Sequence, residues 1–170
     1  MIRGIHHPSI TTANLDRLVN FYCQVIGFTL VDRFGWDSSD LIDKVVGLEN
    51  SATRGAMLSA GNCYLELFEY SSPEPRTQER LRPCDPGYTH ICLDVVDIQH
   101  EYARLLAAGM PFNTAPENFG ELWAAYGRDP DDNIIEIQET LPNQVFALEL
   151  LTAVDTRNAP TSTQERTKNE

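Results

Sequence analysis

The feature that most constrains this chain is an order of patterns that occurs twice. RGIHHPSITT reads as a strand and NLDRLVNFYCQVIG as a helix, with Asn14 able to cap it, Leu15, Leu18, Val19 and Tyr22 at helical spacing, and Gly27 as its stop. FTLVDRF reads as a second strand. The polar stretch from Trp36 to Asn50 has room for a short helix at DLIDKVVG, and RGAMLSA and CYLELFEY, separated by Gly61-Asn62, read as a hairpin. After SSPEPRTQERLRPCDPG, rich in proline and charge, the order restarts. YTHICLDVV reads as a strand and DIQHEYARLLAAG as a helix with Asp97 as cap and Gly109 as stop; strands are expected around Met110 to Phe112, at ELWAAYG, and at NIIEIQE after the turn DPDDN.

Neither half is large enough to bury its own sheet well. The repeat therefore predicts an α+β fold in which two βαβββ modules form a curved eight-stranded mixed sheet, with helices on the convex face and the concave face left for a ligand. The expected divisions are a first module at 1–72, a linker at 73–86, a second module at 87–141 and a C-terminal extension at 142–170, its polar end from Asp155 mobile.

Of the 170 residues 42% are hydrophobic, enough for such a core, and the formal charge of −12 (13 Lys and Arg against 25 Asp and Glu) disfavours phosphate backbones and anionic lipid. Nucleic acid and membrane are not expected partners. No apolar run reaches membrane-spanning length, and Met1-Ile2-Arg3 leads straight into patterned sequence, so a cytoplasmic location is expected. The four cysteines, Cys23, Cys63, Cys84 and Cys92, lack paired spacing and are read as reduced thiols.

Side chains alternate faces along a strand, which tests whether ionisable residues share a surface. Leu65 and Leu67 lie opposite Glu66, Ile91 and Leu93 opposite His90, and Ile135 and Ile137 opposite Glu136, so each strand has an apolar side to place under helices. His7 shares a face with Ser9 and Thr11, whereas His6 lies with Pro8 and Ile10 and is read as buried or at the rim. A Glu or His on a wet sheet face is ordinarily just solvated. Four strands each placing one on the same face set His7, Glu66, His90 and Glu136 apart, and two imidazoles with two carboxylates suit Zn, Ni, Co, Fe or Mn. Tyr64, Phe68, Tyr88 and Cys92 share the inward face and are candidates to line a pocket. Arg54, Arg76, Arg80 and Arg82 are candidates to hold an anionic substrate tail, against the plainer reading of a solvated charged surface.

Four stretches, GIHHPSITTANLDRLVNFYCQVIGF, YLELFE, GYTHICLDVVDI with ARLLAAG, and DPDDNIIEIQE, resemble the glyoxalase/bleomycin resistance/dioxygenase superfamily, also called vicinal oxygen chelate proteins, together covering residues 3 to 140. The resemblance implies that His7, Glu66, His90 and Glu136 hold one divalent metal ion (Ni, Zn, Co, Mn or Fe), with all four positions filled. That set is most like the glyoxalase I and methylmalonyl-CoA epimerase branches. It implies a lyase or epimerase/isomerase that removes a proton next to a carbonyl of a small-molecule substrate, with Glu136 as the base and Glu66 as the candidate for the opposite face. An extradiol-type ring-cleaving dioxygenase, in which Fe(II) is held by two His and one Glu, is the alternative. A homodimer is implied too, and in some branches the ligands come from two chains. The sequence departs from the pattern at Thr11, where glutathione-using members often carry arginine, and at Asp132, where glycine is usual. The segment from Phe34 to Thr53 is longer than a minimal module requires and is expected to shape a private substrate pocket.

Overall fold

The computed structural model describes residues 2–76 and 79–151; the chain end from Asp155, expected to be mobile, lies outside them. The first module contains β1 (Ser9–Thr11), α1 (Leu15–Asn20), β2 (Thr29–Asp37), α2 (Asp40–Val46), β3 (Ala52–Ser59) and β4 (Tyr64–Ser72). The second contains β5 (His90–Asp94), α3 (Ile98–Ala107), β6 (Glu117–Asn118), β7 (Leu122–Arg128) and β8 (Ile134–Thr140). Hydrogen bonding groups the eight strands as two mixed sheets of four with the same plan, β1-β4-β3-β2 and β5-β8-β7-β6. In both, the first strand lies at an edge and runs parallel to the last.

The caps act as their residue types dictate. Asn14 accepts from the Arg17 amide and Asp97 from the His100 amide, each satisfying a donor in the first turn of its helix. A second cap comes from each sheet: Glu69 of β4 accepts from the Leu15 amide at 2.6 Å, and Glu139 of β8 accepts from the Ile98 amide at 3.0 Å. Past Asn20 the helix widens into a π-helical segment, Phe21–Ile26, in which the amides of Gly27 and Phe28 both reach the Tyr22 carbonyl. Gly27 closes it at φ +101°.

The apolar faces meet in a single core. Leu18 and Leu67 from the first module and Ile98, Ile135 and Ile137 from the second all belong to it, each at most 1% exposed. Polar contacts also tie the modules. The Tyr22 hydroxyl donates to buried Asp129 at 3.1 Å, Thr12 and Arg17 both engage Asp131, and Arg104 of α3 donates to the Val25 carbonyl. Asp129 also accepts from the amides of Asp131 and Asn133, so one carboxylate shapes the β7–β8 turn and fixes it to the other module.

Two details differ from the sequence reading. The segment around Met110 to Phe112 makes one isolated bridge, Phe112 with Gly127, and the second strand of that module is the two-residue β6 further on. Pro111, which has no N–H, interrupts the ladder there. In the first module β2 continues to Asp37 and takes Trp36 into the sheet, out of what reads as a polar loop. The short helix expected at DLIDKVVG forms as α2, capped by Ser39 and ended by Gly47.

Candidate metal centre

The alternation that sends Leu65 and Leu67 into the core turns Glu66 to the open face, and Ile135 and Ile137 do the same for Glu136. The β1–β4 pairing extends ahead of Ser9 through backbone bonds from the Tyr64 amide to the His6 carbonyl and from the Glu66 amide to the Pro8 carbonyl, which sets His7 beside Glu66. His7 Nε2 lies 3.3 Å from Glu66 Oε2. In the second module His90 Nε2 lies 3.1 Å from Glu136 Oε2. The side chains are 34% and 16% exposed in the first pair and 29% and 14% in the second, so the two environments match as closely as the two distances.

The far nitrogen of each ring is also held. His7 Nδ1 is 2.7 Å from His6 Nδ1, and His90 Nδ1 is 2.8 Å from Thr89 Oγ1. An imidazole whose Nδ1–H donates to a neighbour presents a free lone pair at Nε2, the tautomer that a metal ligand needs. His6, read from the sequence as buried or at the rim, is exposed and partners His7. The signal for both partners is adjacency: each stands directly before its histidine.

The four candidate ligands thus assemble as two pairs rather than one quartet. Among the described residues no group of three or more His, Cys, Asp or Glu is placed to hold a metal ion. Each pair offers one nitrogen and one carboxylate, half of the donor set that a four-ligand site requires, and each lies at the edge-strand side of its sheet. The donors fit a divalent cation in kind; in one chain they do not complete its shell.

The neighbours of the two carboxylates differ. Glu66 sits in register with Ser9 on β1 and Met57 on β3. Glu136 sits in register with Cys92 on β5 and Tyr126 on β7, which are its cross-strand neighbours. Desolvation of the sulfur and the nearby Glu136 charge push the Cys92 thiol up to about 12, and desolvation followed by the same charge raises the Tyr126 phenol. Both are therefore protonated at neutral pH. The Tyr126 ring also lies 5.2 Å from that of His90.

Other sequence candidates fall elsewhere. Tyr88 is fully exposed and lines nothing. Arg54 is paired with Asp16 and Glu69, Arg80 with Asp132 and Arg82 with Asp85, so three of the four candidate arginines already have acidic partners. A cavity of about 440 Å³ opens between the modules, with Phe28, Tyr64, Cys92, Asp94 and Arg104 in its lining, and neither His–Glu pair belongs to that lining. No helix among the described residues is long and apolar enough to cross a membrane.

Three comparisons bear on this arrangement. The chain is 36% identical over 106 residues to a 2-epi-5-epi-valiolone epimerase of Actinomyces sp, covering 59% of this chain and 57% of that protein. It is 24% identical over 156 residues to a lactoylglutathione lyase of Schizosaccharomyces pombe, covering 81% of this chain and 49% of the lyase, so it spans only about half the length of these two relatives. The fold is similar to that of a glyoxalase-family protein from Bacillus cereus, with a TM-score of 0.73 at 22% identity over 83% of this chain and 95% of that one. Residues 4–137 match the model of the Glyoxalase/Bleomycin resistance protein/Dioxygenase superfamily, and the chain belongs to that superfamily.

Proposed function

We propose that this chain is a divalent-metal-dependent lyase or isomerase that removes and returns a proton next to a carbonyl group of a small cytoplasmic metabolite. The observation that carries the reading is the pair of matched half-sites, His7 with Glu66 and His90 with Glu136, each with Nε2 directed at a carboxylate and Nδ1 held by a neighbour. A second copy of the chain completes the centre: β1 of one copy beside β5 of the other joins His7 and Glu66 to the partner copy's second pair. Both strands are sheet edges, which makes that approach open. The names of two relatives, an epimerase and a lyase, agree with this reaction class.

A divalent cation held by these four residues would stabilise negative charge on the oxygens of the substrate, its metal being Ni, Zn, Co, Mn or Fe. The proton is the business of the protein's own carboxylates. Glu136 takes it from the carbon beside the carbonyl and returns it, and Glu66, facing from the other module, serves the opposite face. Tyr126 and Cys92 flank Glu136 on the neighbouring strands through that cycle. Thr11, standing where an arginine would meet a glutathione carboxylate, leaves glutathione without that contact.

The test is Glu136→Gln. The amide oxygen still coordinates a metal but has no basicity, so metal content should survive while deuterium exchange beside the carbonyl falls by about 10² to 10⁴. Wild-type protein that exchanges no such proton on any 2-hydroxy or 2-oxo carbonyl compound, yet consumes oxygen with a catechol when loaded with Fe(II), would be a ring-cleaving dioxygenase instead.

A further inference from the structure

The open face of the first sheet carries four aromatic side chains in mutual contact next to Glu66. Phe34 meets Phe68 at 5.6 Å between ring centroids, Trp36 meets Phe68 at 5.7 Å and Tyr70 at 6.1 Å, and Phe68 meets Tyr70 at 5.6 Å. All four are only half-buried. Phe68 and Tyr70 follow Glu66 at every second residue of β4 and so share its face, and the desolvated Tyr70 phenol is raised further by the Glu66 charge.

This wall is fixed in place. The Phe34 ring lies over Gly55, where an added Cβ would come within 2.5 Å of it. The Trp36 indole N–H donates to Ser51 Oγ at 2.8 Å, and Ser51, fully buried, is bonded in turn to Asp43 of α2. The long β2–β3 segment therefore anchors the outermost ring. The second module has no such wall. Where Phe68 and Tyr70 follow Glu66, Gln138 and Thr140 follow Glu136, and they are hydrogen-bonded to each other.

We propose that the aromatic wall seats a ring carried by the substrate, so that the substrate class is a 2-hydroxy or 2-oxo carbonyl compound bearing an apolar six-membered ring. This rests on the proton-transfer reading above: the ring lies over Phe68 and Trp36 while the oxygen-bearing carbons lie at Glu66 and the partner copy's polar face. Four rings at one site present a broad apolar surface that a methyl group cannot cover and a phenyl group can.

The experiment compares mandelate with lactate, two 2-hydroxy acids that differ only in phenyl against methyl, on Ni(II)-loaded full-length protein. In a Trp123→Phe background Trp36 is the sole tryptophan; mandelate should shift its emission and bind about tenfold or more tighter than lactate. Phe68→Leu should shrink that ratio several-fold while metal content holds. Calorimetry on the wild-type chain reads the same ratio if the Trp123 variant does not fold. Equal affinities for the two acids, or a ratio unchanged by Phe68→Leu, overturn the ring seat. Failure to take up any of Ni, Zn, Co, Mn or Fe is read separately by metal analysis, and it overturns the proton-transfer reading instead.

Discussion

Across the strand from Glu66 the first module sets Ser9 and Met57; across from Glu136 the second sets Cys92 and Tyr126. Two residues beyond, an aromatic wall in one module answers a Gln138–Thr140 pair in the other. The scaffold is nonetheless the same in both, down to Glu69 and Glu139, each three residues after the candidate ligand and each capping its own module's helix. The comparison separates two kinds of position. Those that build the module recur in kind: the His–Glu pair, the apolar face, the capping glutamate. Those that meet whatever lies on the open face diverge, as they must if two halves of one site are to hold different parts of one substrate.

The comparison breaks most visibly through the histidines. His7→Ala and His90→Ala should each abolish metal binding, since each deletes one of the four ligands of every centre. Mixed as unfolded chains and refolded together, the two variants should regain roughly a quarter of wild-type metal, because half the dimers are mixed and each of those has one intact site. No recovery on mixing would mean that each chain completes its own centre.

The shared core should respond alike in both halves. Leu67 and Ile137 are both 0% exposed on equivalent strands, and each truncated to alanine should lose about 2–5 kcal/mol in chemical denaturation. A large inequality would show that one module folds on the other as template.

The capping glutamates sharpen the comparison on a smaller scale. Either one changed to alanine should cost about 1 kcal/mol, read as the denaturation midpoint. Glu69 also carries a pH dependence. The Arg54 hydrogen bond, aided by the Leu15 amide, holds the Glu69 carboxyl below its usual range, so its contribution is present above about pH 4.5 and is lost as the pH falls through the lowered value. Glu69→Gln should flatten the acid limb of the stability curve relative to wild type. The smallest effect has the opposite sign. Asp132 adopts φ +66° in the β7–β8 turn, whereas Gly61, at φ +89°, supplies the positive φ in the corresponding β3–β4 turn. Asp132→Gly should raise stability by about 1 kcal/mol, less whatever its exposed contact with Arg80 contributes.

Much of this was legible in the sequence because it depends on local rules. Strand parity alone sorted Glu66 from Leu65 and Leu67, and Asn14, Gly27 and Asp97 mark helix ends through their own side chains or lack of one. Parity gives a face and says nothing of distance, so it could not tell that His7 and His90 stay in separate pairs. Trp36 was hidden because polar residues around it conceal a strand whose pairing partner, Thr53, comes 17 positions later. Tyr126 was hidden for the same reason: only the register of β7 on β8 sets it beside Glu136.

Gly55 offers a lesson for anyone who would re-engineer the chain. Its hydrogen is what lets Phe34 approach so closely, with the Leu67 carbonyl 3.0 Å from where a Cβ would be. A mutant library that varies the four aromatic residues can change the size and polarity of the surface while leaving its floor intact. One that also varies position 55 would displace Phe34 at every non-glycine codon, and losses of selectivity there would look like misfolding. Holding that codon constant is the simplest way to keep the two outcomes apart.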